Sequence, residues 1–317
     1  FLTDGAYESL DRSLRALALF EAAADRIGAA VAKSLVSRAH YYVNHDYEGM
    51  LRWSEEAVRD ARTLGDDWVL RVNLGILAEG LRYGHRDPQR AEATYREALA
   101  LSRAAGDSSE SGRILTFYIN GFAKERFDFA EALRCAQEGL ALAQSLDDPV
   151  TEIQARCIVA DNMRYLGDLS GAAVILEDCM DSVTDQMDLN TRVHPVIKLA
   201  RVMHASGDYP RANALAMQAL RLRRTQPMRS GDYAIFDVMA VIAAAQGDAL
   251  RAARLRGMAD NMLALNNHYR KANHVWEYAP FMDRARAALG DAAYEAALAE
   301  GRGLSVEQAV AYALGES

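Results

Sequence analysis

Small apolar residues and polar turn residues recur along this chain at fixed spacing. Asp46, Asp87, Asp128, Asp168, Asp208 and Asp248 stand 41, 41, 40, 40 and 40 residues apart, each within a short turn signal such as Gly167-Asp168-Leu169 or Gly207-Asp208-Tyr209. Four residues after each Asp comes Met50, Ala91, Ala132, Ala172, Ala212 or Ala252, and eleven after it Ala57, Ala98, Gly139, Cys179, Ala219 or Ala259. Those two columns are seven residues apart, which is two helical turns on one face. A small residue there lets a neighbouring helix approach closely. The intervening segments are rich in Ala, Leu, Arg and Glu, all strong helix formers. A second Asp column, Asp66, Asp107, Asp148 and Asp188, marks the junctions between periods, and Pro149 follows one of them where a first helical turn tolerates proline. Each period therefore predicts helix A, a tight turn, helix B and a looser junction. The turn aspartates are expected to accept the first free amides of the next helix.

The ends of the pattern carry their own expectations. Stepping 41 residues back from Asp46 and Asp66 lands on Gly5 and Asp25, with Ser9 and Ala16 in the small columns. Residues 6–25 then read as an orphan helix B, as if the sequence belonged to a longer protein with further repeats or another domain before Phe1. The junction 226–231 is irregular, and after residue 265 the period is lost. Residues 266–274 are polar and read as a loop, followed by three shorter helices near 276–288, 291–300 and 306–314. The last opens on Ser305 with Gln308 three residues on, a capping box. The fold expected is all-α: a right-handed α-solenoid of helix-turn-helix repeats, with about six helix pairs in 1–265 and a helical cap in 266–317. Together these would form one continuous structural domain. Repeat arrays are stabilised mainly by neighbouring repeats, so the 317 residues count repeats rather than the two or three domains that length alone would suggest.

Composition narrows the function. Half the residues are apolar and a quarter charged, which is globular. The net charge of −8 argues against direct nucleic-acid binding as the main task. No apolar run reaches the ~18–20 residues that a membrane span needs. Cys135, Cys157 and Cys179 are odd in number and form no Cys-x-x-Cys pair, which reads as a reducing, cytoplasmic setting without zinc. Neither His40 with His45 nor His268 with His274 has metal-ligand spacing. There is no phosphate-binding Gly-x-x-x-x-Gly-Lys-[Ser/Thr] loop and no nucleophile elbow. No catalysis, cofactor or metal is expected.

Gly207-Asp208-Tyr209 followed by Ala212 and Ala219 resembles the tetratricopeptide (TPR) repeat, although the period exceeds the usual ~34 residues. The longer period, with the tail Ala287-Ala288-Leu289-Gly290 through Leu298-Ala299-Glu300-Gly301-Arg302 and Leu304-Ser305, is similar to the TPR-like arrays of bacterial multidomain signal-transduction ATPases. These include regulators related to the maltose-regulon activator and other transcription factors or cyclases. The resemblance implies a sensor or scaffold array attached to an ATPase and effector domain of a parent chain. It also implies a concave face lined by helix A that takes a protein, peptide or small-molecule effector. Offsets from the turn Asp then place Asn73, Tyr83, Phe117, Tyr118, Lys124, Asp161, Arg164, His194, Lys198, Arg201 and His204 in that groove. Glu79 and Arg82 fall where the TPR pattern wants packing residues. The other readings kept open are a free-standing TPR scaffold or co-chaperone and a peptide-pheromone sensor.

Overall fold

The computed structural model describes residues 3–44, 46–83, 87–226, 228, 230–265 and 269–316. Among them every regular element is helical. The helices are α1 (Thr3–Ala22), α2 (Arg26–Asn44), α3 (Tyr47–Leu64), α4 (Asp67–Tyr83), α5 (Pro88–Ala104), α6 (Ser108–Arg113), α7 (Asn120–Glu125), α8 (Phe129–Gln144), α9 (Pro149–Tyr165) and α10 (Leu169–Ser182). They continue with α11 (Leu189–Ala205), α12 (Tyr209–Arg223), α13 (Tyr233–Ala245), α14 (Ala249–Leu265), α15 (Ala272–Leu289), α16 (Asp291–Arg302) and α17 (Val306–Leu314). A π-helical segment, Ile114–Ile119, joins α6 to α7.

The turn columns explain where the helices start. Asp46, Asp87, Asp128, Asp168, Asp208 and Asp248 each accept a hydrogen bond from the amide three residues on. Asp25, Asp66, Asp107, Asp148 and Asp188 do the same at the junctions. A cap of this kind stabilises a helix by about 1 kcal/mol. From Met50 and Ala57 onward both small columns are buried, whereas Ser9 is exposed and Ala16 half-buried. The residue before the turn Asp must adopt positive φ, and Gly167, Gly207 and Gly247 do so at 83–89°. Phe127 holds that slot at φ 61°, a conformation that costs a bulky residue on the order of 1 kcal/mol or more.

The chain divides into two compact units, residues 1–122 and 123–317. In the first, α1 to α5 pack each on the next. In the second, α8 to α14 alternate as helices B and A, and the helix-A elements α9 and α11 touch directly. Here the apolar core runs on from Ile153 through the almost wholly buried α13 to Leu314. The final helices stand close to where the sequence places them. However, α15 begins at Ala272, so His274 lies on a helix and not in a loop; His268 lies outside the described residues. Ser305 and Gln308 form the full capping box. α14 packs against α16 through Gly257 and Gly301: a β-carbon on Gly257 would land on the Leu298 carbonyl oxygen, and one on Gly301 on that of Arg254.

Candidate functional site: a buried charge cluster on the helix-A face

Within the second unit, successive helices A bring five of the sequence-predicted residues together. Asp161 of α9 is 2% exposed. Its carboxylate lies 3.0 Å from Lys124 Nζ of α7, 3.4 Å from Lys198 Nζ and 3.2 Å from Arg201 Nη1 of α11, and 3.4 Å from Arg164 Nη2 one turn along α9. The helical repeat explains the meeting: Asp161 and Arg201 both sit seven residues before their turn Asp. α15 then closes over the cluster. Its Glu277 accepts from Arg164 at 2.5 Å, from Arg201 at 2.9 Å and from the Tyr165 hydroxyl at 3.0 Å. Asn273 donates to that same hydroxyl at 2.7 Å. Glu277 and Asn273 are site residues that no offset reaches; Tyr165, three residues before Asp168, stands at an inward offset but is not among the residues named from the sequence.

Four cationic side chains thus face two carboxylates. The Nε groups of Arg164 and Arg201 are buried and make no hydrogen bond among the described residues. The electrostatics follow from that balance. Burial works against ionisation of Asp161, yet Arg201, Lys198, Lys124 and Arg164 together hold its carboxyl well below the usual range. Burial likewise opposes the charge of Glu277, and Arg164 and Arg201 outweigh it. Lys124 shows where the surplus lies. Burial, with Lys198 and Arg201 adding to it against the pull of Asp161, lowers its ammonium to about 8.

Three imidazoles border the cluster and are held neutral. Burial, reinforced by Lys198, pushes His194 down to about 4. Burial also takes His204 to about 4, with Arg164 and Arg201 outweighing Glu277; its ring packs 4.7 Å from that of Phe281. His274 is depressed in the same way, by burial and then Arg201. In the unfolded chain an imidazole takes up its proton near pH 6.5. Between about 6.5 and 4 the unfolded state therefore binds more protons, and stability falls as pH is lowered through that window. The slope is at most about 1.4 kcal/mol per pH unit and imidazole. Asp161 and Glu277, whose folded values are depressed, add a further loss below about pH 4. Calorimetry at pH 7, 6 and 5 should show a falling melting temperature; a flat profile contradicts the buried neutral imidazoles.

The remaining sequence-predicted residues belong to the first unit. Asn73 is fully buried and bonded to Ser34 of α2, so it pins two helices A together and does not face a groove. Gln154, which like Asn73 stands 14 residues before its turn Asp, marks this seam again in the second unit, where it donates to Thr191 of α11. The Tyr83 side chain lies outside the described residues, and Phe117 is half-buried in the π-helical segment. Tyr118 stacks on Tyr95 at 4.2 Å, donates to Glu79 and accepts from Arg113. The wider π turn sets Arg113 and Tyr118, five apart, on one face. Arg82 is buried over the Phe122 ring, which is how a charged residue fills a packing position. Arg71, Glu79, Asp107, Glu110 and Arg113 line a cavity of about 410 Å³ with Trp68. With Arg38, which also lines it, three arginines face three carboxylates, and Arg113 is taken up by Glu110.

The repeats and this charged helix-A face define an all-α, TPR-like helical-repeat protein. No known protein family matches the sequence, and no curated protein does. Solved structures share the fold. BtubC (BKLC) from P. vanneervenii is 21% identical over 71% of this chain and 93% of its own, with a TM-score of 0.55. A Rap protein complexed with competence and sporulation factor is 10% identical over 99% and 92%, at 0.57. The apo form of the quorum sensor NprR from B. thuringiensis is 11% identical over 98% and 98%, at 0.54. At such identities the likeness is one of fold. No described helix is long and apolar enough to cross a membrane, and no three His, Cys, Asp or Glu side chains among the described residues converge to hold a metal.

Proposed function

We propose that the helix-A face of the second unit binds a carboxylate-bearing peptide, and that the chain acts without catalysis as a sensor or scaffold module of a bacterial signalling regulator. The observation that carries this is the imbalance of the buried cluster. Lys124, Arg164, Lys198 and Arg201 outnumber Asp161 and Glu277, and the two buried Nε donors are unused. An incoming carboxylate restores neutrality and gains charge-assisted hydrogen bonds in a low-dielectric setting. Two of the similar folds fit the reading, one complexed with competence and sporulation factor and the other a quorum sensor. In a parent regulator, the ligand would act by favouring one of two states of the attached ATPase and effector domain.

Lys124 supplies the test. Its lowered value means that its charge opposes folding at pH 7. Lys124→Met should therefore raise the melting temperature and weaken carboxylate binding. Calorimetric titration compares a short peptide bearing a free C-terminal carboxylate with its C-terminal amide. The free acid should bind the wild type more tightly, and Lys124→Met should erase the difference. Equal affinity of the wild type for acid and amide would refute the reading.

A further inference from the structure

Beside the charge cluster stands an aromatic patch that the cluster does not explain. Phe127 is 45% exposed and Trp276 58%. Their rings meet edge to face at 5.7 Å, and Phe129 lies 6.3 Å from Phe127 and 6.2 Å from Trp276. Phe129 in turn stacks on Tyr165 at 4.5 Å with the rings 2° from parallel. The Tyr165 hydroxyl is the group that Glu277, Arg201 and Asn273 share. One continuous run of side chains therefore leads from exposed aromatic rings to buried guanidiniums. Trp276 and Glu277 are consecutive on α15, so the two regions lie about one residue apart.

Phe127 is informative for a second reason. It occupies the slot that Gly167, Gly207 and Gly247 fill in the other described tight turns, and it does so at φ 61°. Glycine there would relieve the backbone; what the ring supplies instead is its packing on Phe129 and Trp276. Strained backbone at an exposed aromatic points to use of that ring. A solvent-facing aromatic surface next to a cationic surplus complements one kind of occupant, a peptide with an aromatic side chain close to a carboxylate.

We propose that Phe127, Phe129 and Trp276 form the seat for an aromatic side chain of the ligand, one or two residues from the carboxylate that enters the Lys124–Lys198 end of the cluster. This rests on the carboxylate-binding reading above and adds its specificity. Ring-on-ring packing distinguishes an aromatic from a methyl side chain by about tenfold in affinity. The cluster alone would not distinguish them.

Acetyl-Trp-Glu and acetyl-Ala-Glu, titrated calorimetrically into the full chain, test the seat. The wild type should bind the Trp dipeptide about tenfold more tightly. Phe127→Gly should raise the melting temperature, because the turn relaxes, and bring the Trp dipeptide down to the affinity of the Ala dipeptide. Trp276→Ala should do the latter without the former. Lys198→Met should weaken both dipeptides by the same factor. Equal wild-type affinity for the two dipeptides, or a Trp preference intact in Phe127→Gly, overturns the seat and leaves the carboxylate reading standing. Affinities that Lys198→Met leaves unchanged overturn the carboxylate reading and the spacing drawn from it; no binding of either dipeptide overturns both. Sedimentation equilibrium supplies the last arm. A dimer that Phe127→Gly dissociates would make the patch a self-association surface and overturn the peptide assignment.

Discussion

Asp161→Ala will lower the melting temperature by on the order of 10 °C, and added formate will recover part of the loss. Asp161 is buried, and its carboxylate touches four cationic side chains. Removing one partner from a buried ion pair costs about 3–5 kcal/mol, because the charge left behind is uncompensated. In a protein of this size each kcal/mol moves the melting temperature by about 2–4 °C. Here only Glu277 remains to face Lys124, Arg164, Lys198 and Arg201, which puts the loss at the upper end. Formate is small enough for the space the side chain leaves, and it restores the missing charge. Calorimetry in formate and in chloride at matched ionic strength separates this from simple screening. A melting temperature within 2–3 °C of wild type, about the effect of one kcal/mol, would show that the cations turn out to solvent and that the cluster is not a fixed site.

Gly257→Ala and Gly301→Ala should each be strongly destabilising for a reason unrelated to charge. α14 and α16 approach until backbone meets backbone, so a methyl on either glycine strikes a carbonyl oxygen of the other helix. No side chain can rotate aside, and the helices must separate. Overpacking of a core costs about 1–3 kcal/mol, and a backbone clash belongs at or beyond the top of that range. Gly303→Ala is the internal control. Its φ is −80°, and the nearest atom to an added β-carbon lies 3.5 Å away, so its melting temperature should stay near wild type. Equal behaviour of the three variants in thermal denaturation would contradict the close crossing.

The repeats were legible because their signals are local. An aspartate that caps the amide three residues on needs no distant partner, and its 40–41 residue spacing transmits the helix starts directly. The meeting of Asp161 with Arg201, and of Lys124 with Arg164 around them, is legible because stacking turns equal offsets into neighbouring positions; Lys198, three residues before Arg201, shares its helix face. Glu277 lies beyond residue 265, where the period ends, so no offset could place it over Arg164. Asn73 was misplaced because its offset marks the seam between consecutive helices A. Phe127 did carry a visible signal, an aromatic where three other turns hold glycine. Its ring partner Trp276 comes from the aperiodic tail, and only the fold shows the pair.

The reach of Glu277 also bears on the order of folding. Neighbouring helices of the array meet across a few tens of residues, and such short closures favour rapid assembly. The Arg164–Glu277 pair joins residues 113 apart in sequence. Loop entropy makes a closure of that length a late event. The expected order is that the repeats of the second unit assemble first with their guanidiniums still hydrated. Docking of α15 would then dry the cluster last and fix the charge balance only when the rest of the unit is in place.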